Sequence, residues 1–173
     1  RTEVVMASAQ PPADDAAMAA LLSVLDEVHD PEIPILTIAD LGVLREVRID
    51  AGRVVVVITP TYSGCPAMHA IEDDIEHALT AAGYRDFTVE TQLAPAWSTD
   101  QMSAAAHAKL RSVGIAPPTR ITTDKRALLG EHVMCPRCAS RQTERISEFG
   151  STACKALYRC RNCLEPFDYF KCL

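Results

Sequence analysis

The sequence predicts an α+β chain: a small mixed sheet with helices on one face, followed by a short β segment organised by paired cysteines. Three observations carry this. Apolar periodicity runs helix, hairpin, helix, strand, helix through the first 118 residues. Two Cys-x-x-Cys pairs, CPRC at 135–138 and CRNC at 160–163, dominate the rest. Residues 133–173 are also too few to bury much surface alone, and a unit that small needs a metal or disulfides. The expected organisation is a disordered Ala/Pro-rich stretch at 1–13, an α+β domain at 14–118, a linker at 119–132 opened by Pro117-Pro118, and the cysteine-rich unit at 133–173.

The first helix is expected from about Asp15 to His29. Met18, Leu21, Leu22, Leu25 and Val28 fall on one face. Asp14 and Asp15 favour its N-terminus, and Asp30-Pro31 ends it because the residue before proline avoids the helical region. DPEIPILTIADLG then reads as a long loop. Val43, Val47 and Ile49 share one side of a strand, and Asp50-Ala51-Gly52 suggests a three-residue turn. The run RVVVVIT at 53–59 suits a strand covered on both faces. A second helix follows TPTYSGCP, with Ala67, Ile71, Ile75, Ala78, Leu79 and Ala82 inward and Gly83 as its stop. Phe87, Val89, Thr91 and Leu93 alternate as a third strand. Ser98 with Gln101 predicts a capping box for a last helix over Thr99–Val113, ended by Gly114.

Composition narrows the class. Of 173 residues, 48% are hydrophobic and 5% aromatic, so the core is mainly aliphatic. No apolar run approaches the roughly 20 residues that span a bilayer. The opening residues RTEVVMASAQPPADD do not read as a secretory signal, so a cytoplasmic protein without a membrane partner is expected. The net charge of −6 is unevenly divided. Residues 1–118 hold 7 Lys and Arg against 17 Asp and Glu, and residues 119–173 hold 10 against 6. Four thiolates on one divalent ion would offset part of the basic excess. The basic residues are also scattered, so nucleic acid is not expected as a partner.

Seven cysteines are present, one at position 65 and six between 135 and 172. Each Cys-x-x-Cys makes a tight turn that aims two sulfurs at one ion. Cys135, Cys138, Cys160 and Cys163 therefore read as a closed four-thiolate site, with zinc as first choice and iron second. The unit reads as a C-terminal four-cysteine zinc ribbon. Cys154 and Cys172 are left over, as buried small hydrophobes, as alternate ligands, or as ligands of a second ion.

Cys65 lies where a strand ends and a helix begins. With Pro66 as the first helical residue, Cys65 takes the cap position, where free backbone N–H groups and the helix dipole would lower the thiol pKa. His69, four residues on, reads as solvent- or partner-facing. Asp30 and Glu32 would supply oxygen ligands or contacts beside Cys65 if the fold joins the two loops. A nucleophilic Cys65 enzyme lacks a convincing base, so no catalytic residue is expected.

DPEIP, DLG at 40–42 and TPTYSGCP together resemble the small metal–sulfur cluster assembly domain family, over about residues 16–118. SEFGSTACKALYRC at 147–160 and EPFDYFKC at 165–172, joined to that domain, look like the PaaD family of phenylacetate degradation. The resemblance implies a non-catalytic accessory or maturation factor of the multicomponent phenylacetyl-CoA epoxidase. Its partners would be the di-iron oxygenase and the flavin and iron–sulfur reductase subunits. A stoichiometric structural subunit docked to the oxygenase is the alternative. In the family, the cysteine of the GCP loop falls on Cys65 and the acidic loop on Asp30 and Glu32. Cys65 would hold iron or an iron–sulfur cluster transiently. One thiol under-coordinates a cluster, so partner ligands or a homodimer pairing two Cys65 would complete it.

Overall fold

The computed structural model describes residues 12–118 and 133–171. The expectations for residues 1–11, for the linker and for Cys172 lie outside the described residues. Helix α1 (Pro12–Leu25) begins inside the stretch expected to be disordered, with proline in its first position, where the missing N–H costs nothing. It ends four residues before His29. Two i→i−3 bonds, Glu27 N–H to Val24 O and Val28 N–H to Leu25 O, tighten the chain ahead of the proline. His29 then bridges to Thr37 across the base of the DPEIP loop.

That loop contains an element the sequence pattern did not predict. Helix α2 (Ile38–Leu41) is one turn long and held by a capping box. Thr37 Oγ1 accepts from the Asp40 N–H, and Asp40 Oδ2 accepts from the Thr37 N–H. Gly42 closes it at φ 70°, and a Cβ there would stand 2.5 Å from the Gln101 carbonyl oxygen. The DLG sequence is thus a helix end that a neighbouring backbone approaches too closely for any side chain.

Strands β1 (Leu44–Asp50) and β2 (Arg53–Ile58) pair antiparallel, with Asp50 opposite Arg53. The turn therefore has two residues, Ala51 and Gly52, at φ 50° and 90°, in place of the expected three. Positive φ at both positions matches the twist of a hairpin. Helix α3 (Ala67–Ala81) carries the chain across to β3 (Phe87–Thr91), which pairs parallel with β2. Leu93 falls beyond β3 and is exposed.

Leu21 and Leu25 of α1 and Ile71, Ile75 and Leu79 of α3 are buried in one cluster with Val54, Val56 and Ile58. Val55 and Val57 point the other way and are also buried. The register sets them between Arg48 and Glu46 on one side and Thr88 and Glu90 on the other. Arg48 reaches Glu90 at 3.2 Å across that face.

The expected helix over Thr99–Val113 is divided. A 3₁₀ turn (Thr99–Gln101) precedes α4 (Ala104–Ser112). Ser98 makes no side-chain cap bond; Ser103 is the cap and accepts from the Ala106 N–H at 2.9 Å. Tertiary ties decide this, since Ser103 also bonds Asp40 through its hydroxyl and its N–H.

The C-terminal unit is an antiparallel sheet of β4 (Thr143–Ser147), β5 (Lys155–Cys160) and β6 (Pro166–Phe170). Val133, Ala156, Tyr158, Phe167 and Tyr169 form its own small core. It does not stand apart. Ala116 bridges to Tyr169, and Phe170 and Cys154 are buried in the core of the first sheet. Trp97 donates to the Leu41 carbonyl and meets the Phe170 ring edge-on at 6.2 Å.

Candidate metal and thiol sites

Cys135, Cys138, Cys160 and Cys163 come together from the loop before β4 and the turn after β5. Their sulfurs all lie within 4.8 Å of one another, the one such set of potential metal ligands among the described residues. Cys135 and Cys163 are 3.7 Å apart, Cys138 and Cys160 3.6 Å. A tetrahedral ion at zinc–sulfur bond lengths separates its sulfurs by about 3.8 Å, so the donor set fits such an ion. Residues 135, 160 and 163 are buried or partly buried, and Cys138 is exposed. The N–H groups of Cys163 and Asn162 point at Cys160 Sγ and, despite its burial, draw that thiol down to about 6. Against the pull of the Glu165 N–H, burial and the sulfurs of Cys138, Cys160 and Cys135 push Cys163 up to about 12. Turn N–H groups aimed at sulfur therefore favour the thiolate at Cys160.

The second constellation lies where the DPEIP loop, the TPTYSGCP loop and the start of β5 meet. Asp30 is buried, and its Oδ1 accepts from the N–H groups of Glu32 and Ile33 at 2.9 and 2.7 Å. Burial raises its carboxyl above the ordinary range, opposed by those two bonds and by the charge of Lys155. Lys155 is itself buried and its Nζ reaches the Glu32 carbonyl oxygen at 3.4 Å. Cys65 is half-buried. It does not take the helix cap position: Pro66 does, one residue later than expected, and no side chain caps α3. The expected lowering of the Cys65 pKa is reversed. Burial pushes the thiol up, the Ala67 N–H pulls it down, and the charges of Glu32 and Asp30 raise it further. The charges of the acidic loop thus reach Cys65, but its carboxylates and the sulfur are not gathered as the cage sulfurs are. His69 is fully exposed, with Nδ1 3.6 Å from Glu72.

Three further side chains belong to this place. The Tyr62 hydroxyl is hydrogen-bonded to Cys65, and burial with the charges of Cys65 and Glu32 pushes it up to about 12. Cys154 is buried, 3.0 Å from Thr152 Oγ1 and 3.8 Å from Glu32 Oε2. Lys155 follows it. None of the three has a spacing signal in sequence; only the fold joins STACK to DPE. Among the described residues, no helix is long and apolar enough to cross a membrane.

Comparison with known proteins places both parts of the chain in families. A family model described as the PaaD zinc beta ribbon domain matches residues 120–171. Another, described as iron-sulfur cluster assembly protein, matches residues 18–91. A protein of Escherichia coli (strain K12), provisionally named as a component of 1,2-phenylacetyl-CoA epoxidase, is 52% identical over 151 residues, 87% of this chain and 90% of its own. A protein of Porphyromonas gingivalis (strain ATCC BAA-308 / W83) named Fe-S protein maturation auxiliary factor is 33% identical over 92 residues, 52% of this chain and 87% of its own. The crystal structure of a domain of unknown function, DUF59, from Bacillus anthracis superposes with a TM-score of 0.51 at 29% identity, covering 56% of this chain and 92% of that one. An iron–sulfur cluster assembly domain joined to a PaaD-type ribbon, with 52% identity to the Escherichia coli protein over nearly the whole length, makes the chain a member of the PaaD family.

Proposed function

We propose that the chain is a non-catalytic accessory factor of the multicomponent phenylacetyl-CoA epoxidase, assisting assembly of iron or iron–sulfur centres in the oxygenase or reductase subunits in the cytoplasm. The observation that carries this is the iron-sulfur cluster assembly domain joined to a PaaD-type ribbon, within which the charges of Glu32 and Asp30 act on the Cys65 thiol ahead of α3. Oxygen and sulfur donors in one place suit iron as a cargo held briefly. A single thiol also leaves coordination positions for a client's ligands. The four-cysteine cage, by contrast, is closed. Cys135, Cys138, Cys160 and Cys163 would hold a resident ion, zinc by preference, whose contribution is to tie the ribbon together.

The test is Cys65→Ser in the full chain, produced together with the epoxidase subunits. The fold should survive, while the iron and sulfide content of the partner subunits and the epoxidase activity fall. Full activity with Cys65→Ser would sink the reading. A docking role as a stoichiometric subunit is favoured by one observation, the exposed Ile146, Phe149 and Leu164 of the ribbon. A stable complex with fully metallated oxygenase, undisturbed by Cys65→Ser, would select that role.

A further inference from the structure

The ribbon grips the DPEIP loop with the start of its central strand. Lys155 opens β5 and is only 4% exposed. A buried ammonium is costly unless it is partnered. Its Nζ donates to the Glu32 carbonyl oxygen at 3.4 Å. The preceding residue, Cys154, reaches Glu32 Oε2 with its thiol at 3.8 Å. From inside the loop, Asp30 Oδ1 accepts from the N–H groups of Glu32 and Ile33 at 2.9 and 2.7 Å. Glu32 is thus held at its N–H by its own loop, and at its carbonyl and side chain by the ribbon. The grip is itself braced. The Lys155 N–H bonds the Thr152 carbonyl at 3.1 Å, and the Lys155 carbonyl accepts from the Gly150 N–H at 2.7 Å. A Cβ on Gly150 would stand 2.5 Å from Asp168 Oδ1 and 3.3 Å from Lys155 Cβ, so this turn closes tightly over the strand. The other end of β5 is Cys160, one of the four cage sulfurs. One strand therefore carries a cage ligand at its last residue and the grip at its first, about 17 Å apart.

We propose that the ribbon is a built-in clamp on the DPEIP loop, with Lys155 as its positioning residue, and that an ion bound in the four-cysteine cage tightens the clamp through β5. Closing four sulfurs on an ion fixes Cys160 opposite Thr143 and, with it, the register of β5 between β4 and β6. A strand fixed on both sides presents its first residue in one place. β6 carries the same constraint, because Phe170 pairs with Lys155 and meets Trp97 of the first domain edge-on at 6.2 Å. With the cage open, β5 frays from its Cys160 end and the loop loses its outer hold. Such coupling is reciprocal: what the ion does for the loop, the loop does for the ion. The clamp does not depend on what Cys65 carries, so it stands or falls apart from the maturation role.

The readout is amide hydrogen exchange by NMR on the reduced full chain, loaded with zinc or stripped of it by a chelator. Ile33 and Leu36 report the loop, since both N–H groups bond within it. Val55, Val56 and Val57 of β2 report the fold as a whole. In the wild type, zinc should slow exchange at the loop amides by about tenfold and leave β2 unchanged. Lys155→Met keeps a long buried side chain without the charge. Its loop amides should exchange at the stripped rate with or without zinc. By reciprocity its cage should also bind zinc about tenfold more weakly, read against a chromophoric chelator, although no cage ligand has changed. A lysine with a merely structural role would speed exchange at loop and β2 amides alike and leave zinc affinity where it was; that result overturns the proposal. If Lys155→Met does not fold, the wild type decides alone. Loop exchange that is the same in loaded and stripped protein, or a loss of protection shared equally by β2, overturns the clamp.

Discussion

Asp40 shows how much one side chain of the DLG motif holds. Its carboxylate caps α2 and accepts from Ser103 Oγ and from Lys109 Nζ, so it ties α2 to the start of α4. Burial alone would raise its pKa. Lys109, the Thr37 N–H and Ser103 outweigh that and hold it below the ordinary 3.8. A carboxyl depressed in the folded state contributes stability that is present above its unfolded value and lost as pH falls through the folded one. Asp40→Asn should therefore cost about 1–2 kcal/mol at neutral pH. It should also flatten the fall in stability below about pH 4, read from urea unfolding across pH. Equal stability at neutral pH would contradict the assignment. Cys65 is the residue where sequence reasoning failed in sign. A cap position predicts a lowered thiol, but α3 starts too late, and the acidic loop and burial dominate. Those neighbours lie 33 and 35 residues upstream in sequence, where no local rule reaches.

Among the elements, those with a strong period were legible: α3 from its apolar stripe, β2 from its valine run, and the ribbon from its cysteine pairs. Those decided by tertiary bonds were not. The divided helix before α4 has an unbroken helical composition and a plausible capping box at Ser98. Ser103 wins because it also binds Asp40. The short α2 was missed because four residues carry no readable period. In the ribbon, Glu144 accepts from both Arg159 and Arg161 on β5 and its following turn, a surface network worth little by itself. The cage is what closes this element. Cys138→Ser should lower affinity for the resident ion by more than about 100-fold, beyond the loss of an outer-shell partner, as read by competition with a chromophoric chelator. Retained affinity would remove Cys138 from the ligand set.

At the scale of the whole molecule, the sequence suggested two units joined by a linker, and the described residues share a core between them. Phe170 and Cys154 enter the first core, Trp97 meets Phe170, and Lys155 is buried against the acidic loop. This coupling was hidden because the residues that make it sit in a segment whose evident purpose is the cage. On the proposed function, the molecule has two metal-handling places of opposite character: a closed four-thiolate cage and an open site at Cys65. The central claim is that the second place handles iron while the first holds its ion permanently. The most direct test is elemental analysis of iron, zinc and acid-labile sulfide per chain, on wild type and Cys65→Ser purified anaerobically from iron-replete cells. The account predicts one tightly held ion per chain in both proteins, and iron beyond it in the wild type alone. The same iron content in both would contradict it.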